Sequence, residues 1–257
     1  MNNISPEIKD FLDEMVVKYN NPGFIESDPI SIPHQYEIKE DIEISGFLAA
    51  TIAWGNRMMI IRNSLKLMNL MGNSPYDFVM NHTENHLKRF DGFVHRTFNQ
   101  TDLVFFLKAL KNIYLNKGGL ETVFCRSVTE LSTQPAIHEF KKEFFSLPHN
   151  IRTLKHVSDP EKGSAAKKIN MFLRWMIRND GCGVDFGIWK SVSPSQLSCP
   201  LDVHSGNIAR KLGLLTRKQN DSKAVGELDH NLRLMDKNDP VKYDFALFGL
   251  GVSGKFL

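Results

Sequence analysis

The apolar residues of this chain recur at helical spacing from end to end. Ser5-Pro6-Glu7 reads as an N-cap followed by proline at the first helical position. It opens a helix to about Tyr19, which Asn20-Asn21-Pro22-Gly23 closes. From there to His34, prolines 22, 29 and 33 predict an extended arm. Ile44, Phe47, Leu48 and Thr51 mark one face of a helix from about Lys39 to Ala53. A break at Trp54-Gly55-Asn56-Arg57 leads to a second helix with Met58, Ile61, Leu65 and Met68 on its apolar face.

Further helices are expected at 75–81, 101–115, 119–131 and 135–146. Thr101 and Asp102 would cap the one over 101–115, which Gly118-Gly119 end. Helices over 164–178, 203–212 (stopping at Gly213), 221–235 and 239–250 complete the series. Residues 179–200 hold Gly181, Gly183, Gly187, Pro194 and several serines, and read as an insertion loop. No strand series, repeat or low-complexity tract interrupts this pattern. The expected fold class is all-α, a compact multi-helix array of two helical subdomains with a cleft between them. The expected parts are an N-terminal helix and arm (1–40) packing with the C-terminal subdomain, a barrel-like subdomain (41–178), the insertion (179–200) and closing helices (201–257).

A length of 257 residues allows such a core, and 18 Phe and 10 Met suit its packing. The net charge of +3 permits a nucleic-acid partner without arguing for one. Cys125, Cys182 and Cys199 are too few and too scattered for a disulfide framework or a thiolate cluster, which points to reduced thiols in a cytoplasmic protein. The first residues show no signal-peptide pattern, and no apolar run reaches membrane-spanning length.

Two segments carry candidate chemistry. One is Gly163-Ser164-Ala165-Ala166-Lys167-Lys168-Ile169-Asn170-Met171-Phe172-Leu173-Arg174, where a lysine pair starts a helix. On that helix Lys167 projects with Met171, Arg174 and Arg178, which on its own describes a solvated basic face. A neighbouring lysine and the positive helix end both favour a neutral, nucleophilic amine. The other is Pro200-Leu201-Asp202-Val203-His204, where Asp202 on its own is an ordinary N-cap. One of its carboxylate oxygens can cap while the other faces a ligand.

Together these segments resemble the helix-hairpin-helix DNA glycosylase and endonuclease III superfamily. Lys167 to Arg174 matches the lysine helix, and Leu201 to Gly213 matches the aspartate segment. Asp244 to Gly251 resembles the closing helix, and helices 44–53 and 58–70 resemble the opening of the six-helix barrel. The 35-residue step from Lys167 to Asp202 (202 − 167) is closest to the archaeal 8-oxoguanine branch. The whole chain also resembles a bacterial family without an assigned activity.

The resemblance implies a bifunctional glycosylase and AP lyase acting on an oxidised base in double-stranded DNA. Lys167 is the implied nucleophile, with Lys168 one register away, and Asp202 the charge stabiliser. His204 is an orienting residue. Asn56 or Arg57 is the wedge that fills the stack, and Gly163, Ser164 and Arg210 are phosphate contacts. Trp54, Trp175, Trp189, Phe245 and Phe248 are candidate walls of the base pocket. The expected protein is a monomer without a resident metal. Its hairpin, Ser158 to Gly163, has one glycine where the superfamily has two, so phosphate cradling and a monovalent cation there are open expectations. A catalytically inactive nucleic-acid-binding protein of the same fold is the rival reading.

Overall fold

The computed structural model describes residues 4–254, and the chain is all-α apart from one two-stranded hairpin. Its helices run α1 (Pro6–Tyr19), α2 (Lys39–Thr51), α3 (Arg57–Leu70), α4 (Pro75–Asn81), α5 (Glu84–Leu87), α6 (Gln100–Asn116) and α7 (Gly119–Cys125). Then follow α8 (Gln134–Phe144), α9 (Lys167–Ile177), α10 (Val203–Lys211), α11 (Ser222–Met235) and α12 (Tyr243–Ser253). Strands β1 (Val94–His95) and β2 (Phe98–Asn99) pair antiparallel, with Val94 opposite Asn99. They are too short to leave a period-two signal.

The chain divides into two compact units. One comprises residues 25–127 and 136–158; the other comprises 1–24, 128–135 and 159–257. Its boundaries depart from the sequence expectation in two places. Residues 25–40 group with the first unit rather than with the C-terminal helices. Residues 159–178, which hold α9 and its approach, group with the C-terminal helices rather than with the barrel-like segment. Hydrogen bonds explain why 128–135 goes with them: Gln196 donates to the Thr129 carbonyl at 2.7 Å, Thr133 N–H donates to the Gln196 carbonyl at 3.0 Å, and Gln134 donates to Asn170 at 2.8 Å.

In the unit of 25–127 and 136–158, the core is a phenylalanine cluster. Phe47 and Phe106 stack at 5.9 Å between ring centroids, Phe106 meets Phe144 edge-on at 4.8 Å, and Phe124 stacks on Phe140 at 3.9 Å. Helix α2 is buried on every side from Asp41 to Thr51, so its single apolar face understates its burial. The expected extended arm is instead wound into 3-10 turns at Pro22–Phe24, Pro29–Ser31 and Pro33–Gln35. Each opens on a proline, whose fixed φ suits the first residue of a turn, and Ile30 and Ile32 are buried between them.

Three other expectations shift. The buried face of α3 is Ile60, Ser64, Leu67 and Met68, leaving Met58 exposed. Helix α6 is capped by Asn99, which accepts from Asp102 N–H while Asp102 accepts from Asn99 N–H. The helix expected over 119–131 ends at Cys125, and a Thr129–Ser132 bridge follows.

In the other unit, Leu12, Leu201, Ile208, Leu228, Leu232 and Leu247 belong to one apolar core. Helix α1 packs on α12 at Gly249, where a Cβ would lie 2.4 Å from the Tyr19 ring. Helix α10 packs on α12 at Gly251, where a Cβ would lie 2.9 Å from the His204 carbonyl oxygen. Gly249 thus makes room for the Tyr19 ring, and Gly251 lets two helix backbones approach closely. The segment 179–200 is not a loose insertion. Val184, Asp185 and Trp189 are buried, and Trp189 meets Phe172 of α9 edge-on at 5.5 Å.

Candidate active site

The site is built where α9 and α10 begin. Helix α9 starts after a tight hairpin: a 3-10 turn at Pro160–Lys162 capped by the Asp159 side chain, then Gly163 at φ +86°. Ala166 precedes the helix at φ +48°, a left-handed conformation that is strained for a residue with a Cβ. Asn170, one turn into α9, donates its side-chain N–H to the Ala165 carbonyl at 3.0 Å and so ties the helix to its approach.

Helix α10 starts at a reciprocal cap. Asp202 Oδ1 accepts from Ser205 N–H at 3.0 Å, and Ser205 Oγ accepts from Asp202 N–H at 3.0 Å. The remaining oxygen, Oδ2, lies 3.3 Å from Lys167 Nζ. The carboxylate therefore caps its helix and faces the lysine at once. Both side chains are partly exposed, 29% for Lys167 and 20% for Asp202, so the pair is reachable by a ligand.

Lys168 is half-buried beside them. Burial, and secondarily the charge of Lys167, push its ammonium down to about 8. From Ile169 to Ile177, α9 is buried on every side. The basic face expected along Lys167, Met171, Arg174 and Arg178 is therefore not solvated beyond its first residue.

Arg174 pairs with Asp244 and, at 3.2 Å, with Asp185. Arg178 pairs with Asp180 at 2.7 Å, Asp185 at 3.1 Å and Asp239 at 2.9 Å. Both guanidinium groups lie over the Phe245 ring, Arg174 at 4.2 Å from its centroid. Asp244 also accepts from the Cys199 thiol at 3.8 Å. Burial drives the Asp244 carboxyl up to about 6, with Arg174 pulling the other way.

Burial likewise pushes Asp229 up to about 6 and the Cys199 thiol well above its ordinary value. Asp229 accepts from Cys199 N–H at 2.8 Å, and Arg233 donates to the carbonyls of Ser195 and Leu197. Helix α11 thus fixes the segment that delivers Asp202. None of these supports carries a local sequence signature, because each spans 30 or more residues.

The other predicted site residues fare unevenly. His204 is exposed, with its ring 6.2 Å edge-on from half-buried Phe248. Trp175, Trp189 and Phe245 are fully buried and serve the core rather than an open pocket wall. Trp54, Asn56 and Arg57 belong to the other unit. There Trp54 is half-buried, edge-on to His95 at 5.1 Å, and Asn56 caps α3 by accepting from Met59 N–H at 3.1 Å.

Arg210, expected at a phosphate, instead donates to the Arg217 carbonyl at 2.8 Å and to Asn220 at 2.6 Å. Gly163 is exposed at the hairpin, and its carbonyl accepts from Ser222 N–H at 3.1 Å. Ser164 Oγ accepts from Ala166 N–H at 3.1 Å. The carbonyls of Asp159 and Pro160 also accept backbone N–H groups. Three carbonyls of the hairpin, those of Asp159, Pro160 and Gly163, are thus engaged within the protein.

Among the described residues, no group of three or more His, Cys, Asp or Glu is placed to hold a metal ion. No described helix is long and apolar enough to cross a membrane. No curated protein and no solved structure matches the chain. The model of one family, described as protein of unknown function (DUF2400), matches residues 28–253, and the chain belongs to that family.

Proposed function

We propose that this protein is a DNA glycosylase with AP-lyase activity, acting on double-stranded DNA that carries an oxidised base or an abasic site, with 8-oxoguanine the first substrate to try. The observation that carries the reading is the Lys167 Nζ to Asp202 Oδ2 distance of 3.3 Å, across 35 residues of sequence (202 − 167). An N-cap alone would leave that oxygen without a lysine to face.

The chemistry follows from the pair. A target base must leave the stack before its sugar can be reached. The Lys167 amine then attacks C1′ as the glycosidic bond breaks and the base departs with the bonding electrons. Asp202 Oδ2 steadies the positive charge developing on the sugar and takes up a proton from the attacking amine. The C1′–O4′ bond then breaks as C1′=N forms, and Asp202 returns its proton to O4′, which leaves a Schiff base. Abstraction of a C2′ proton then expels the 3′ phosphate. Lys168, whose ammonium burial lowers to about 8, is the neighbouring amine and the alternative nucleophile.

The second reading is a non-catalytic nucleic-acid-binding protein of the same fold. It is favoured by the altered hairpin, Ser158 to Gly163, which carries one glycine where the superfamily has two. Borohydride trapping on duplexes with an abasic site or 8-oxoguanine separates the two. A covalent adduct lost in Lys167→Ala supports the enzyme, and loss only in Lys168→Ala moves the nucleophile by one residue. Binding without any adduct leaves the second reading, and neither adduct nor binding sinks both.

A further inference from the structure

The two helix starts that meet at Lys167 and Asp202 share one support, the segment from Arg217 to Ser222. Asn220 donates its side-chain N–H to the Asp202 carbonyl at 2.8 Å and accepts from Arg210 at 2.6 Å. Arginine can only donate, so the Asn220 oxygen must face Arg210 and its amide nitrogen must face Asp202. Two residues on, Ser222 N–H donates to the Gly163 carbonyl at 3.1 Å, and Asp221 forms an isolated antiparallel bridge with Ser164. One short stretch thus grips the aspartate loop on one side and the approach to the lysine helix on the other.

Gly206 shows how closely the first grip is fitted. A Cβ there would lie 2.8 Å from Asn220 Oδ1 and 2.9 Å from the Arg210 guanidinium. The segment is itself held rigid: Asp221 pairs with Arg217 and caps α11 through Ala224 N–H at 3.0 Å, and Glu227 accepts from Thr216 N–H at 2.6 Å.

We infer that Asn220 is a positioning residue, which through the Asp202 carbonyl holds Asp202 Oδ2 against Lys167 while Ser222 fixes the hairpin from which Lys167 emerges. The functional half of this inference rests on the lysine chemistry proposed above; the structural half does not. Asn220→Asp tests it, because it keeps an acceptor for Arg210 and replaces the donor to Asp202 with a negatively charged oxygen that the Asp202 carbonyl repels.

Two measurements are made on the full chain. Crystal structures of wild type and Asn220→Asp should show the Lys167–Asp202 contact opened in the variant. Single-turnover trapping on an abasic duplex should slow by about tenfold, in keeping with the cost of small misplacements at a reacting centre. Duplex affinity should stay unchanged, a split that a merely structural loss would not give. An unchanged contact in the crystal, or a wild-type trapping rate, overturns the inference. If wild type forms no adduct, the glycosylase reading falls and the crystal structures alone decide the role of Asn220. If Asn220→Asp does not fold, Gly206→Ala, which displaces the Asn220 oxygen sterically, is judged by the same two outcomes.

Discussion

Lys167 Nζ lies 3.3 Å from Asp202 Oδ2, while Asp202 Oδ1 is held by Ser205 N–H at 3.0 Å. One oxygen of the carboxylate caps the helix and the other faces the lysine, which makes the two contacts separable by substitution. Asp202→Asn keeps a good cap, so its stability should stay within about 1 kcal/mol of wild type, the range for a partly exposed ion pair. Asp202→Ala also loses the cap and should cost about 1 kcal/mol more. Both should slow adduct formation by about a hundredfold, as for removal of one group that stabilises transition-state charge. Urea unfolding and single-turnover trapping read the two effects independently. Equal stability of Asp202→Asn and Asp202→Ala would deny the cap, and an undiminished rate would deny the chemistry.

Asp229 gives the fold a pH dependence. Burial raises its carboxyl to about 6, whereas the unfolded chain titrates near the ordinary value of 3.8. Between those values the folded state holds a proton that the unfolded state has lost. Wild type should therefore lose stability as pH rises from about 4 to 6. Asp229→Asn keeps an acceptor for Cys199 N–H and carries no charge. It should gain on wild type across that window, reaching at most about 3 kcal/mol above it, at 1.36 kcal/mol per unit. Asp244 is raised to a similar value and contributes its own slope, so the quantity to measure is the difference between the two stability curves. A constant difference from pH 4 to 7 would show that Asp229 is not the titrating group.

Arg178 is the hub of a buried ionic cluster. It is bonded to Asp180, Asp185 and Asp239, and burial already pushes the Asp239 carboxyl upward against its pull. Arg178→Met removes the shared cation and leaves buried Asp185 and half-buried Asp239 without it. The expected loss is about 3–5 kcal/mol at neutral pH, as when one partner of a buried pair is deleted. The loss should shrink as pH falls and Asp239, whose carboxyl burial already raises, takes up its proton. A pH-independent loss would point to packing over Phe245 rather than to charge.

The helices and the two key residues were legible because their signals are local. Ser5-Pro6-Glu7 spells an N-terminus, and Asp202 with Ser205 spells a capped one. The charged face of α9 is not solvated as its sequence suggests, because periodicity reports which residues share a face and not what covers it. Arg174 and Arg178 look solvated until Asp185, Asp239 and Asp244 arrive from other segments. The proline-rich stretch from Pro22 to Pro33 was read as extended for a related reason. Proline forbids a long helix but suits a short 3-10 turn equally well. Asn220 left no signal, since its bond to Asp202 spans 18 residues and an asparagine before a helix is common.

Two glycines separate conformation from space. Gly163 sits at φ +86° with nothing within 4 Å of where a Cβ would be, so Gly163→Ala meets only backbone strain, about 1–2 kcal/mol. At Gly249 no left-handed φ is involved, but a Cβ would fall 2.4 Å from the Tyr19 ring. Gly249→Ala must therefore push α1 away from α12, and the expected cost, about 1–3 kcal/mol, is that of overpacking. The distinction is testable with Tyr19→Ala as a second background. Removing the ring should abolish the penalty of Gly249→Ala and leave that of Gly163→Ala untouched, because only the former shares a contact with Tyr19. A Gly249→Ala penalty that persists without the ring would mean that helix α12 itself, and not its packing on α1, demands glycine there.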